Sequence, residues 1–129
     1  IKQVSRATEQ VSDPAYFTLL HTVLEALNDA TIPLDIAVSW FWLQLAILEG
    51  QGLNLATDVN GMKLVEDKNY TFDPEAMAFF FHENGEFTTE HIKLLRLLSA
   101  QPPLVAAKVK SITPLLTLVR RLAEQTIAR

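Results

Sequence analysis

The chain has 129 residues, of which 49% are hydrophobic and 20% charged, and this is enough apolar material for the core of one domain. The absence of cysteine excludes disulfides, thiolate zinc sites and a cysteine nucleophile within this sequence. The formal net charge is −4, yet residues 1–90 carry a net charge of −10 and residues 91–129 carry +6. Such segregation predicts an anionic partner for the C-terminal third, or else basic helices that face the acidic ones.

The first helix is predicted to begin at Asp13-Pro14. Before it, residues 1–11 carry few apolar side chains and fit the tail of a helix. Asp13 is suited to the cap position, and Pro14 to the first helical position. The apolar residues that follow keep the spacing of one helix face; they are Tyr16, Leu19, Leu20, Val23, Leu24 and Leu27. The sequence Thr31-Ile32-Pro33 ends this helix.

A second helix is predicted over residues 34–49, before Gly50. It is apolar nearly all round, which is typical of a central helix covered on most sides. Its three adjacent aromatic residues, 40–42, point in three directions and so favour core packing over a flat stacking surface. The most apolar stretch, residues 36–48, is shorter than the roughly 20 residues that span a bilayer, which favours a buried helix.

A turn-rich module is predicted at about residues 53–86, inserted between helices. Turn signals include Asn60-Gly61, Asp73-Pro74 and Asn84-Gly85. Three short strand-like pieces lie among them, at residues 62–65, 70–72 and 78–81. The module is therefore expected to be irregular or a β-hairpin. The phenylalanines at 79–81 are expected to pack on the helices, because an exposed run of this kind would aggregate.

The remaining sequence predicts three more helices. Thr88 or Thr89 is expected to cap a long one that ends at residues 101–103. A short helix over residues 104 to about 111 follows, and Thr113-Pro114 starts the last. The predicted fold class is mainly α: a single helical domain over residues 1–129, with the turn-rich module inserted. Because the sequence starts at Ile1, we interpret it as a fragment of a longer chain.

The sequence carries little catalytic chemistry. It lacks a glycine-rich phosphate loop and a nucleophile elbow. One cluster supports the hypothesis of a metal site, because a loop brings His82 and Glu83 towards Glu90 and His91. Zinc sites, however, need three or four converging ligands. An enzyme built on these four side chains is the least favoured hypothesis. We therefore expect no enzyme activity, no cofactor, no metal and no small-molecule substrate.

Four stretches together are similar to the C-terminal helical domain of the recombination mediator protein RecO. They are the leucine-rich helix at residues 16–27, the aromatic helix at 40–50, the turn Tyr70-Thr71-Phe72-Asp73-Pro74 and the helix at 88–98. The resemblance covers most of the chain and rests on leucine spacing and a few turns.

One motif of that family is missing. Many members bind zinc through four cysteines in the turn-rich module, and these positions correspond here to Thr57, Asn60, Phe81 and Asn84. None of the four can supply a thiolate. The chain therefore resembles a zinc-free version of the domain, in which packing of Phe72, Phe79 and Phe81 is expected to replace the metal.

The resemblance implies a DNA repair and recombination accessory domain. Its implied partners are RecR and the acidic tail of single-stranded DNA-binding protein, with single-stranded DNA as a further candidate. Receiving an acidic tail requires a shallow apolar pocket with flanking cations. From charge counting, the candidate partner-binding residues are Lys108, Lys110, Arg120 and Arg121.

The alternative is a structural or oligomerisation domain without a ligand site of its own. The helices that start at Leu34 and Leu115 would then pack against another copy or against the rest of a longer chain. In either case the absence of cysteine and of an apolar span favours a cytoplasmic protein that does not enter the membrane.

Overall fold

The computed structural model describes residues 14–109 and 112–127, which form a mainly helical fold with one small antiparallel sheet. In chain order the described elements are α1 (Pro14–Leu27), α2 (Leu34–Leu48), β1 (Tyr70–Asp73), β2 (Ala78–Phe81), α3 (Thr89–Ala100), α4 (Pro103–Ala107) and α5 (Thr113–Ile127). The predicted fold class, a helical domain with a small module between helices, is confirmed. The predicted cap Asp13 and the segment before it lie outside the described residues.

Helix α2 is the centre of the fold and packs against each of the other four described helices. Its apolar composition is the cause, because a helix without a polar face is stable only when it is covered on most sides. Ile36 and Ala37 are fully buried, and Trp40 is buried while the neighbouring Phe41 and Trp42 are half-buried against the core. The core packing predicted for the three aromatic residues is therefore observed.

The polar groups of α2 hold the end of α3. The indole Nε1 of Trp40 donates a hydrogen bond to the carbonyl oxygen of Gln101, at 2.9 Å. The Nε2 of Gln44 donates to the carbonyl oxygens of Leu98 and Ser99, each at 2.9 Å. The last carbonyls of a helix have no partners within it, so these side chains satisfy groups that would otherwise need water.

The inserted module contains a two-stranded hairpin. Strands β1 and β2 pair antiparallel, with Tyr70 opposite Phe81 and Asp73 opposite Ala78. Two of the three predicted strand-like pieces are thus confirmed. The third, residues 62–65, is wrong: only an isolated bridge joins Lys63 to Thr57 there. Residues 62–65 have no neighbouring strand to pair with, so they do not form a strand despite their propensity for one.

The interior of the module is an aromatic cluster. The ring centroids of Phe72 and Phe79 lie 5.4 Å apart, those of Phe79 and Phe87 lie 5.2 Å apart, and those of Phe87 and His91 lie 5.7 Å apart. The expectation for Phe81 is wrong, because this residue is 50% exposed and the ammonium of Lys68 lies 5.0 Å above its ring. Phe79 and Phe81 share one face of β2, so the difference comes from their positions along the strand: Phe81 is the last residue of β2 and lies beyond the buried cluster.

Helices α4 and α5 complete the domain. Helix α4 is shorter than predicted and ends at Ala107. Helix α5 buries one stripe against the core; its buried members are Leu116, Val119, Leu122, Ala123 and Thr126. None of the described helices combines the length and the apolar character that crossing a membrane requires.

Candidate functional site

Of the four basic residues proposed from the sequence, Arg120 is engaged in contacts within the domain. Nη1 of Arg120 forms a close ion pair with Oδ1 of Asp35, at the start of α2, and its Nε lies 3.3 Å from Oε1 of Glu124. The hydrogen bond to Asp35 is the main reason that the pKa of Arg120 is raised above its ordinary value. Arg120 of α5 is therefore paired with the acidic residue at the start of α2, within the domain.

Two of the remaining three residues stay available. Lys108, just after α4, and Arg121, on α5, are exposed, and neither forms an ion pair with a described residue. Lys110 lies outside the described residues. Lys108 and Arg121 thus remain candidates as solvent-facing cations.

A shallow groove lies elsewhere, where the module crosses the first turns of α3. Five of its lining residues define what we call the α3 groove: Leu64, Val65, Ile92, Lys93 and Arg96. Its volume is about 30 Å³, which is room for about two water molecules. The groove is far too small for a drug-sized ligand, but it has room for the tip of one apolar side chain.

Hydrogen bonds from backbone amides to side-chain hydroxyls hold the wall of the α3 groove in place. The Val65 amide donates to the hydroxyl of Tyr70 at 3.0 Å, and the Asp67 amide donates to Oγ1 of Thr89 at 3.2 Å. Tyr70 is itself buried in the hairpin, so the rigid part of the module positions the wall. The apolar side of the groove is therefore formed before any ligand arrives.

Two cations border the α3 groove, and they are engaged differently. The guanidinium of Arg96 donates from Nε and Nη2 to the carbonyl oxygen of Leu55, at 3.0 and 2.7 Å, and so fixes the start of the module. Nζ of Lys93 lies 3.7 Å from Glu66 and 3.9 Å from Glu90. Both separations exceed hydrogen-bond length and all three side chains are exposed, so these ion pairs are weak.

The other constellation considered from the sequence does not form a site. No hydrogen bond or ion pair within the described chain joins His82 or Glu83 to Glu90 or His91. Nδ1 of His82 accepts a hydrogen bond from the Asn84 amide instead, at 3.1 Å. Among the described residues no group of three or more histidines and carboxylates is placed to hold a metal ion.

His91 has a structural position at the start of α3. Its Nδ1 accepts a hydrogen bond from the backbone N–H of Thr88 at 3.1 Å, and the two residues form a capping box. Because Nδ1 accepts, the ring carries its proton on Nε2 in the neutral form. Burial lowers the pKa of His91, and the nearby charge of Glu86 partly opposes this shift.

This position predicts an acid-sensitive start of α3. Unfolded chains bind the His91 proton at an ordinary pKa of about 6.5, whereas the folded domain binds it only at lower pH, so unfolding takes up a proton. The stabilisation is complete above the ordinary pKa and is lost as pH falls through the folded pKa. We expect urea unfolding at about pH 7.5 and about pH 5.5 to show that the wild type loses stability relative to His91→Gln.

Glutamine is the matched control because it keeps an acceptor for the Thr88 amide and does not titrate. Its loss of ring packing against Phe87 is a constant offset at both pH values. Parallel stability curves across this pH range would show that His91 does not contribute to acid sensitivity.

Comparison with known proteins identifies no relative. A scan against protein-family models, a search of curated proteins and a search of solved structures each found no match. Functional inference for this chain therefore starts from its own surfaces.

Proposed function

We propose that this chain is a cytoplasmic accessory domain of DNA repair and recombination that acts by binding other proteins. The proposed partners are the acidic tail of single-stranded DNA-binding protein and RecR, with single-stranded DNA as a further candidate ligand. The resemblance to the C-terminal domain of RecO supports this identity of the partners. The α3 groove is the observation that carries the proposal.

The α3 groove has the two features that an acidic tail with an apolar end requires. Ile92 and Val65 supply an apolar recess, and Lys93 stands at its border. A peptide carboxylate that reaches Lys93 replaces two long, solvent-exposed ion pairs and breaks no tight one. The apolar end supplies buried area and the carboxylate supplies orientation, which is the usual division of roles in peptide recognition.

Charge reversal at the groove should weaken tail binding. We expect Lys93→Glu to lower the affinity for a labelled acidic-tail peptide by about 10-fold or more, because it places a carboxylate where the peptide needs a cation. Glu66→Gln should act in the opposite direction and raise the affinity by roughly 3-fold, since Glu66 now competes for Lys93. Fluorescence anisotropy across a salt series measures both.

Arg121→Glu is the matched control, because it makes the same change of charge on an exposed side chain of α5. It should lower the affinity for the tail peptide about 2-fold at physiological salt, through long-range electrostatics. A larger loss from Arg121→Glu than from Lys93→Glu would move the tail site to α5. No binding of the wild type to the tail peptide would refute the proposal.

The same titration with a labelled single-stranded oligonucleotide tests the further candidate ligand. Lys108 and Arg121 are the exposed cations suited to phosphate contacts. Each of Lys108→Glu and Arg121→Glu should weaken oligonucleotide binding and reduce the salt dependence of affinity by about one charge. If salt dependence is unchanged in both variants, these residues do not contact phosphate.

A structural or oligomerisation role is the second candidate function. At the start of α2, the 60% exposure of Leu34 favours this role. Leu115 of α5 does not favour it, because that residue is half-buried against the core. A larger exposed apolar surface on α1 favours it more strongly.

A further inference from the structure

Helix α1 has two apolar faces, and the part of the chain that the structure describes buries only one of them. The face that packs into the core consists of Tyr16, Leu19, Val23 and Ala26. The second face consists of Phe17, Leu20, Leu24 and Leu27, which are 64%, 38%, 58% and 49% exposed. We call these four residues the α1 stripe. The sequence pattern assigned Leu20, Leu24 and Leu27 to one apolar helix face, and in the structure these three residues are exposed beside the buried members of that face.

The four positions of the α1 stripe lie on one side of the helix. Their spacing is three, four and three residues, which places all four within an arc of roughly 80° and over a length of about 15 Å. The same spacing is read in either direction along the chain. A second α1 helix that runs antiparallel about a two-fold axis near Thr22 therefore matches Phe17 with Leu27 and Leu20 with Leu24, on both sides of the axis.

The charges around the α1 stripe limit what can cover it. His21 and Glu25 are the residues of α1 with a basic or acidic side chain, and Nε2 of His21 lies 3.3 Å from Oε1 of Glu25. The helix offers no lysine or arginine to an acidic peptide, a nucleic acid or an anionic membrane surface. The chain as a whole carries a charge of −4, so this neutral face is where two copies approach with little repulsion.

The size of the α1 stripe sets the expected strength of the contact. Its four side chains expose roughly 400 Å² of apolar surface, which is within the range of the largest patches on ordinary monomers. A two-fold pair would bury on the order of 800 Å² in total, below the range of stable specific interfaces and in that of weak, reversible ones. Area alone does not fix affinity, and for a weak, reversible contact we expect a dissociation constant on the order of 100 µM.

From these observations we propose that the α1 stripe is a self-association surface, on which a second copy of this chain docks antiparallel through the same four residues. The stripe lies on α1 and shares no residue with the α3 groove. The inference is therefore independent of the proposed binding of an acidic tail, and either can fail without the other. It assigns to the domain a weak two-fold dimer that forms at high local concentration.

Sedimentation equilibrium of the chain from about 5 to about 500 µM tests the proposal, because this range brackets the expected dissociation constant. The wild type should pass from monomer to mostly dimer. Leu24→Glu should weaken the dimer by at least about 10-fold, since it places two carboxylates near the axis, and circular dichroism should show an unchanged fold. Met62→Glu is the matched control, because Met62 is similarly exposed, at 67%, on the inserted module, and it should leave the dimer intact.

Disulfide cross-linking tests the orientation, because the chain has no cysteine and an introduced cysteine can pair only with another introduced one. The antiparallel arrangement brings position 17 of one copy beside position 27 of the other and separates the two copies of position 17 by roughly 15 Å, beyond the reach of a disulfide. An oxidised mixture of Phe17→Cys and Leu27→Cys should therefore yield mainly the mixed dimer. A wild type that stays monomeric at about 500 µM, a dimer that Leu24→Glu does not weaken, or a preference for identical pairs would each overturn the proposal.

Discussion

Phe79→Ala should lower the free energy of unfolding by about 4 kcal/mol, the largest effect expected from a single side-chain truncation in this domain. Phe79 is fully buried, and its ring contacts those of Phe72 and Phe87 at 5.4 and 5.2 Å. Truncation removes the ring from the middle of this cluster and leaves a cavity that the surrounding buried side chains, among them Tyr70 and Met77, close only in part. Urea unfolding followed by circular dichroism measures the change.

Phe81→Ala is the matched control for Phe79→Ala. Phe81 lies two residues further along the same strand and is 50% exposed, with the ammonium of Lys68 above its ring. Its removal should lower stability by less than about 1 kcal/mol, since it leaves no cavity and loses one exposed cation–π contact. Equal losses from the two substitutions would show that the aromatic cluster is not what stabilises the module.

Gly85→Ala should destabilise the domain by about 3 kcal/mol or more, because the backbone of Tyr70 leaves no space for a methyl group. A Cβ at Gly85 would lie 2.8 Å from the backbone nitrogen of Tyr70 and still closer to its carbonyl carbon and oxygen. The obstacle is backbone, which cannot rotate away as a side chain does. Accommodation would have to break the paired hydrogen bonds between Tyr70 and Phe87, at 2.8 and 3.0 Å.

Gly61→Ala separates this steric effect from the general loss of a glycine. Gly61 has a positive φ of 82°, and a Cβ there meets no atom within 4 Å. Its replacement should cost about 1 kcal/mol, the ordinary penalty of a side chain in the left-handed region. Thermal or urea unfolding of both variants gives the comparison, and a Gly85→Ala loss no larger than that of Gly61→Ala would contradict the close approach.

The elements that local pattern specifies were predicted well from the sequence. Helix α2 ends at Leu48, one residue before the predicted end, because Gly50 takes up a positive φ of 77° that stops a helix. Strand β2 matches residues 78–81. What failed required knowledge of neighbours. Residues 62–65 have strand propensity but no strand beside them, and the outer face of α1 has helix periodicity but nothing described that covers it.

The candidate surfaces were less predictable than the fold. The charge pattern made Arg120 a candidate partner-binding residue, yet Asp35 pairs with it from 85 residues away, and no local spacing predicts such a contact. The α3 groove was missed for the same reason. Its apolar wall comes from the module and its cations from α3, and only the packing of one on the other creates the recess. A loop with adjacent Leu64 and Val65, followed by a helix with Lys93 and Arg96, was the only sequence signal.

The hydrogen bonds from Gln44 to the end of α3 also bear on how the chain folds. Gln44 lies 54 and 55 residues before its two partners along the chain, because residues 49–88 lie between α2 and α3. Relative to a connection of about five residues, the entropy of closing a loop of about 40 residues costs roughly 2 kcal/mol more. A hairpin forms within microseconds on its own, so early pairing of β1 with β2 shortens the chain that must be searched. Pairing removes about 12 residues from this loop and so recovers only roughly 0.3 kcal/mol of that cost, which leaves the packing of α2 against α3 to offset the rest.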